Sequence, residues 1–153
     1  MKLAHLVIVA VALSGCVTNQ SVPTAAITNG EVAEAIRAFE EVCLKTAPSF
    51  SGASQAAANF GIIEITDVGF SKMGFNKDQS LGVQIKANNE CVITTPSQRD
   101  TTLTTQFLQT VGRHSSTTPG NRVPAEGNVK GVTFIFQHDR RGGEAYVMLK
   151  ANG

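Results

Sequence analysis

Leu81-Gly82-Val83-Gln84-Ile85-Lys86-Ala87-Asn88-Asn89-Glu90-Cys91-Val92-Ile93-Thr94-Thr95 is the stretch that decides the fold. Residues 81–86 alternate apolar and polar with a period of two, the repeat of a strand with one dry face. Asn88-Asn89 accepts positive φ and turns the chain. Cys91 to Thr95 then returns as the partner strand. Upstream, Ile62-Ile63-Glu64-Ile65-Thr66 is β-branched and reads as a further strand. Downstream, Val129 to Gln137 holds Val-Thr-Phe-Ile-Phe, and Ala145 to Lys150 follows a turn at Arg140-Arg141-Gly142-Gly143.

Helical periods flank these strands. Thr28 and Glu31 have capping-box spacing ahead of Val32, Ala35, Ile36, Phe39, Val42 and Cys43, which share one helix face. Glu34, Arg37, Glu41 and Lys45 occupy the other face, and Ala47-Pro48 ends the helix. Residues 51–61 read as a second, short helix stopped by Gly61. Ser97 to Asp100 forms another cap, and Leu103, Phe107 and Val111 place a helix over about 98–112. Residues 113–128, rich in Pro, Gly and hydroxyls, read as a long loop. The order is α-α-β-β-β-α-β-β. The expectation is an α+β domain with an antiparallel sheet of about five strands and two or three helices packed on one face.

Length and charge bound the rest. The chain has 153 residues, enough for one domain, with net charge +1 and 16% charged residues. No basic block exists to displace counterions, which argues against a nucleic-acid partner. Apolar content of 42% suits a globular domain. No apolar run reaches the roughly 20 residues that span a bilayer.

The amino terminus has its own composition. Lys2 precedes the uninterrupted apolar run Leu6 to Leu13, and Ser14-Gly15-Cys16 follows. A charge, a short apolar core and small residues describe a secretory signal. The tetrad Leu13-Ser14-Gly15-Cys16 resembles the lipobox of bacterial lipoproteins. That resemblance implies cleavage after Gly15 and acylation of Cys16, with the acyl chains as a membrane anchor. Two or more chains hold a protein stably. A residue other than Asp after Cys16, here Val17, implies export to the outer membrane, facing the periplasm. Residues 1–15 are then the signal peptide, and 16–29 a lipidated cysteine with an uncharged tether. Residues 30–153 form a single periplasmic domain. The tether's thirteen residues after Cys16 would reach roughly 20 Å as a flexible linker. Its other reading is an edge strand paired with the domain. Lys2 leaves with the signal, so basic and acidic residues balance at 12 each.

With Cys16 acylated, Cys43 and Cys91 remain, and an oxidising compartment makes their disulfide the expectation. It would staple the first helix to the sheet.

No Gly-x-Ser-x-Gly elbow, zinc motif, phosphate loop or dinucleotide fingerprint occurs in the chain. No catalytic residue, metal ligand or cofactor other than the covalent lipid is therefore expected. His114 and His138 read as exposed loop residues. Two features could form a binding surface. One is the near-repeat Gly69-Phe70-Ser71-Lys72 and Gly74-Phe75-Asn76-Lys77, offering Phe70, Lys72, Phe75 and Lys77. Its phenylalanines are either anchors for a partner or tucked under the sheet. The other is Arg140 with Arg141, either a contact for an anionic partner or a solvated turn. The expected function is a non-catalytic binding or accessory module for an unidentified envelope protein. The alternatives are an inhibitor of an envelope-targeting hydrolase, working through residues 113–128 or 139–143, and a small hydrolase.

Overall fold

The computed structural model describes residues 32–152. The chain is α+β. Helix α1 (Glu34–Phe39) runs into a π-helical turn (Glu40–Leu44), and α2 (Ala53–Ala58) follows. Four strands come next: β1 (Ile65–Asp67), β2 (Lys72–Phe75), β3 (Gly82–Lys86) and β4 (Glu90–Thr95). Helix α3 (Leu103–His114) precedes β5 (Ala125–Val129), β6 (Val132–Asp139) and β7 (Glu144–Lys150). The strands form one antiparallel sheet in the order β1-β2-β3-β4-β7-β6-β5.

Strand parity sets the core. Paired residues in neighbouring strands share a face. Val83, Ile85, Cys91, Ile93, Tyr146, Met148, Phe134 and Phe136 are all buried and lie on one side. The helices cover that side with Ile36, Phe39, Val42, Leu103, Phe107 and Val111, in a single cluster. Phe39 meets Phe107 edge to face at 4.9 Å, and Phe107 lies 5.4 Å from Tyr146.

The sheet has seven strands, not about five. Residues 65–75 pair as a hairpin, and β2, whose side chains are mostly exposed or half-buried, has no apolar alternation to announce it. Ala125-Glu126-Gly127-Asn128-Val129 is a strand by pairing with Phe136 to Val132, despite a composition poor in β-branched residues. The loop read over 113–128 is correspondingly shorter. Ile62 and Ile63 precede β1. Ile62 is buried and its N–H donates to the Ala57 carbonyl at 3.2 Å, while Ile63 is exposed.

Helix boundaries also differ from the expectation. Helix α1 begins at Glu34, and Thr28 lies outside the described residues. Helix α3 starts at Leu103 rather than about 98. Before it, the Asp100 carboxylate accepts from the Thr102 N–H and hydroxyl, both at 2.7 Å, and fixes the preceding turn.

Cys43 and Cys91 are disulfide-bonded, with their Cα atoms 5.5 Å apart and a sequence separation of 48. Both are fully buried. The bond joins the π turn to β4, the central strand of the seven in the sheet order. Reversible urea unfolding of a Cys43→Ala/Cys91→Ala variant should show a loss of about 4 kcal/mol, the loop-closure value for a loop of this size. An unchanged urea midpoint would contradict that role for the disulfide.

Candidate functional site

The near-repeat is not a structural repeat. Gly69-Phe70 is the two-residue tip of the β1–β2 hairpin, closed by the Val68 N–H donating to the Ser71 carbonyl at 2.9 Å. Gly69 has φ +88°, as the first central residue of a mirror-image hairpin turn can require. The Asp67 carboxylate accepts from its N–H at 2.8 Å. Gly74 serves a different need. A Cβ there would lie 2.6 Å from the Glu64 carbonyl oxygen, so glycine lets the chain entering β1 cross closely over β2.

Phe70 therefore stands at a turn, 75% exposed, and Phe75 on a strand, 53% exposed. Phe75 pairs with Gly82, and its ring occupies the space that a Cβ on Gly82 would need. Ile63 and Val68 are also exposed, at 80% and 44%. All four belong to residues 63–75, whereas the phenylalanines of β6 are buried in the core. Lys72 and Lys77 are exposed beside them.

A groove of about 200 Å³ opens next to the hairpin tip. Phe50, Phe70, Ile85 and Ala87 supply apolar wall, and Ser51, Ser54, Asp67 and Lys72 supply polar groups. Ser71 also lines it, and its hydroxyl is buried without a hydrogen-bond partner among the described residues. Phe70 and Lys72 are thus brought together at one groove, with Phe75 at the far end of β2 and Lys77 in the turn beyond it. Apolar wall with a few polar groups is the make-up of pockets that hold side chains or small ligands.

Arg140 and Arg141 lie elsewhere. Their turn is at the Phe75 end of the sheet, opposite the Phe70 tip, because Thr95 pairs with Glu144 while Lys72 aligns with Ile85, Cys91 and Met148. Both arginines are engaged. Arg141 Nη2 donates to Asp139 at 2.7 Å, and that contact holds the Asp139 carboxyl down to about 2. Arg140 clamps Glu144 from Nε at 2.9 Å and Nη2 at 3.0 Å, and donates to the Gln98 carbonyl at 2.8 Å.

Glu144 is the centre of a network that the linear reading missed. Its side chain is sealed from solvent. It accepts from Arg140, from the Gln98 N–H at 2.8 Å, and from His138 Nε2 at 2.9 Å. His138 Nδ1 lies 2.9 Å from the Thr104 hydroxyl, and its ring stacks on Tyr146 at 4.3 Å. A neutral ring with its proton on Nε2 satisfies both nitrogens. His138 is thus a buried strand residue, not an exposed loop one. It follows Phe134 and Phe136 at spacing two, so strand parity puts it inside; that was the available signal. His114 is the last residue of α3 and is half-buried. Its Nε2 lies 2.7 Å from Glu40.

Thr104, His138 and Glu144 have the hydroxyl, imidazole and carboxylate order used in nucleophilic catalysis. Here imidazole and carboxylate are sealed, which leaves the base no open approach for a substrate. The network is a structural tie between the β6–β7 hairpin and the start of α3. Among the described residues, no group of three His, Cys, Asp or Glu side chains could hold a metal ion, and no helix is long and apolar enough to cross a membrane.

Burial pushes the His138 pKa below its ordinary 6.5, against the raising pull of Glu144. Burial also pushes Glu144 up, but the Gln98 N–H, Arg140 and His138 together bring it below 4.5. Both folded-state values lie below the unfolded ones. The unfolded chain therefore takes up more protons, and stability present above about pH 6.5 declines as pH falls. Thermal midpoints should drop between pH 7 and pH 5, and His138→Gln should flatten that segment. A midpoint independent of pH in the parent chain would refute the assignment. Glu144→Ala should cost about 3 kcal/mol by denaturant titration, because it strands Arg140 and the Gln98 N–H.

No protein-family model, curated protein or solved structure matches the chain, so the site rests on its own geometry.

Proposed function

We propose that this is a lipid-anchored bacterial envelope protein of the outer membrane whose periplasmic domain is a non-catalytic binding module, with the β1–β2 hairpin as its contact surface. The observation that carries the reading is the gathering of Ile63, Val68, Phe70 and Phe75 on one short segment. Large apolar side chains concentrated at the surface mark interaction sites, and exposed aromatics are favoured anchors. The groove beside Phe70 adds a place for one side chain of a partner. The tetrad Leu13-Ser14-Gly15-Cys16 supports the anchor, and the uncharged tether would hold the hairpin within reach of proteins at the membrane surface. The Cys16 position itself lies outside the described residues. The partner is an envelope protein rather than a nucleic acid, since the surface carries no basic block.

Two experiments test the reading. Cys16→Ser should move the protein from the membrane fraction to the soluble fraction or leave it unprocessed, and unchanged partitioning would refute the anchor. Phe70→Ser combined with Phe75→Ser should leave folding intact by circular dichroism and abolish cross-linking to the partner in intact envelopes. Cross-linking that survives both changes would remove the hairpin from the contact surface.

A further inference from the structure

The sheet has two edges, and the described chain treats them differently. At β5, the loop after α3 closes the edge. The Ser116 N–H donates to the Asn128 carbonyl at 2.8 Å, and the Asn128 N–H donates to the Ser115 hydroxyl at 2.9 Å. At β1 no such cover occurs among the described residues. Val68 bonds Ser71 across the hairpin, and bonded pairs alternate along an antiparallel ladder. Thr66 therefore turns its main chain toward Met73, and Ile65 and Asp67 turn theirs outward. Among the described residues, no main-chain bond reaches the outer groups of either residue.

The side chains along this edge have a defined chemistry. Glu64 and Asp67 are exposed, and neither has an ion-pair partner among the described residues. Ile63 and Val68 flank them with exposed apolar surface. The groove at the Phe70 tip lies on the helix-covered side of the strand, where Asp67 and Lys72 align with Ile85. An extended chain placed along β1 would direct alternate side chains to that side.

We propose that the free edge of β1 is a strand-addition site that takes an extended segment of a partner protein in which basic and apolar residues alternate. The proposal rests on the binding-module reading and names its mode and the partner's chemistry. Main-chain bonds to Ile65 and Asp67 supply the docking, as in other strand-addition complexes. Strand alternation puts Ile65 and Asp67 on the groove side and Thr66 and Val68 on the other, so basic side chains of the segment meet Asp67 on the groove side and apolar ones meet Val68 opposite, while Glu64 adds negative charge where the chain enters β1. A second copy of this chain is a poor occupant. Isologous pairing of β1 with itself brings two Glu64 and two Asp67 carboxylates into one small interface, the kind of like-charge contact by which edges resist self-association. The same two charges select for a partner of opposite sign.

The test uses the full chain, ¹⁵N-labelled and solubilised in detergent, titrated with the blocked peptide acetyl-Lys-Val-Lys-Val-Lys-Val-amide. Amide shifts and slowed hydrogen exchange should localise to Ile65 and Asp67, with side-chain shifts at Phe70. Glu64→Lys together with Asp67→Asn should weaken binding about tenfold or more, as loss of paired interfacial charges does. Asn at 67 keeps the acceptor for the Gly69 N–H, so the turn survives. The Glu-Val counterpart peptide should not bind. The proposal falls if the shifts map away from β1, if both peptides bind alike, if the double variant binds unchanged, or if sedimentation shows self-association that protects Ile65 and Asp67. It also falls if those amides are already protected before peptide is added. Loss of cross-linking in the Phe70/Phe75 variant, with no peptide effect at β1, would leave the binding module standing and remove strand addition alone.

Discussion

One dry face of a twisted antiparallel sheet is the constraint on which the rest of this domain depends. Side chains alternate across each strand, so burying Ile93, Tyr146, Met148, Phe134 and Phe136 against the helices fixes every other residue of those strands. The disulfide sits in this layer, where Cys43 on the π turn meets Cys91 on β4. A slip of one residue in β4 would carry Cys91 to the other face and away from its partner.

The same alternation explains why a polar network lies inside the fold. His138 and Glu144 have the parity of the core phenylalanines and of Tyr146, so β6 and β7 carry them under the edge of the helix layer. Burial there is tolerable because every strong donor and acceptor of the pair has a partner. Thr104 and Gln98 close the network from α3 and the segment before it. The Arg140 cation, at a turn that resembles a free basic patch in sequence, is spent on Glu144.

The helix layer packs over β3, β4, β5 and β6 and leaves the first two strands thinly covered. That incomplete cover leaves Phe70, Phe75, Ile63 and Val68 in solvent. A groove survives where the segment at Phe50 to Ser54 approaches the hairpin tip. The proposed contact surface and the core lie in different parts of the sheet. The stapled half of the sheet carries a shorter hairpin whose apolar side chains have no interior to enter.

Sequence by itself determined the α+β class, the central hairpin at 81–95 and the core stripe of the first helix. These are local patterns, since a period of two or of 3.6 is written into neighbouring residues. It also marked Phe70, Lys72, Phe75 and Lys77 as a unit apart. Only the tertiary structure decided that β2 and β5 are strands, and that the strand read at 62–66 runs over 65–67, because pairing there is enforced by neighbours and not by local alternation. Only it decided that the two phenylalanines stay outside, since exposure depends on where the helices end. It likewise turned His138 inward and neutralised Arg140 and Arg141, because Asp139 and Glu144 meet them through the folding of one turn. Whether a charged side chain is free or taken is a question of distance, and sequence carries distance only within an element.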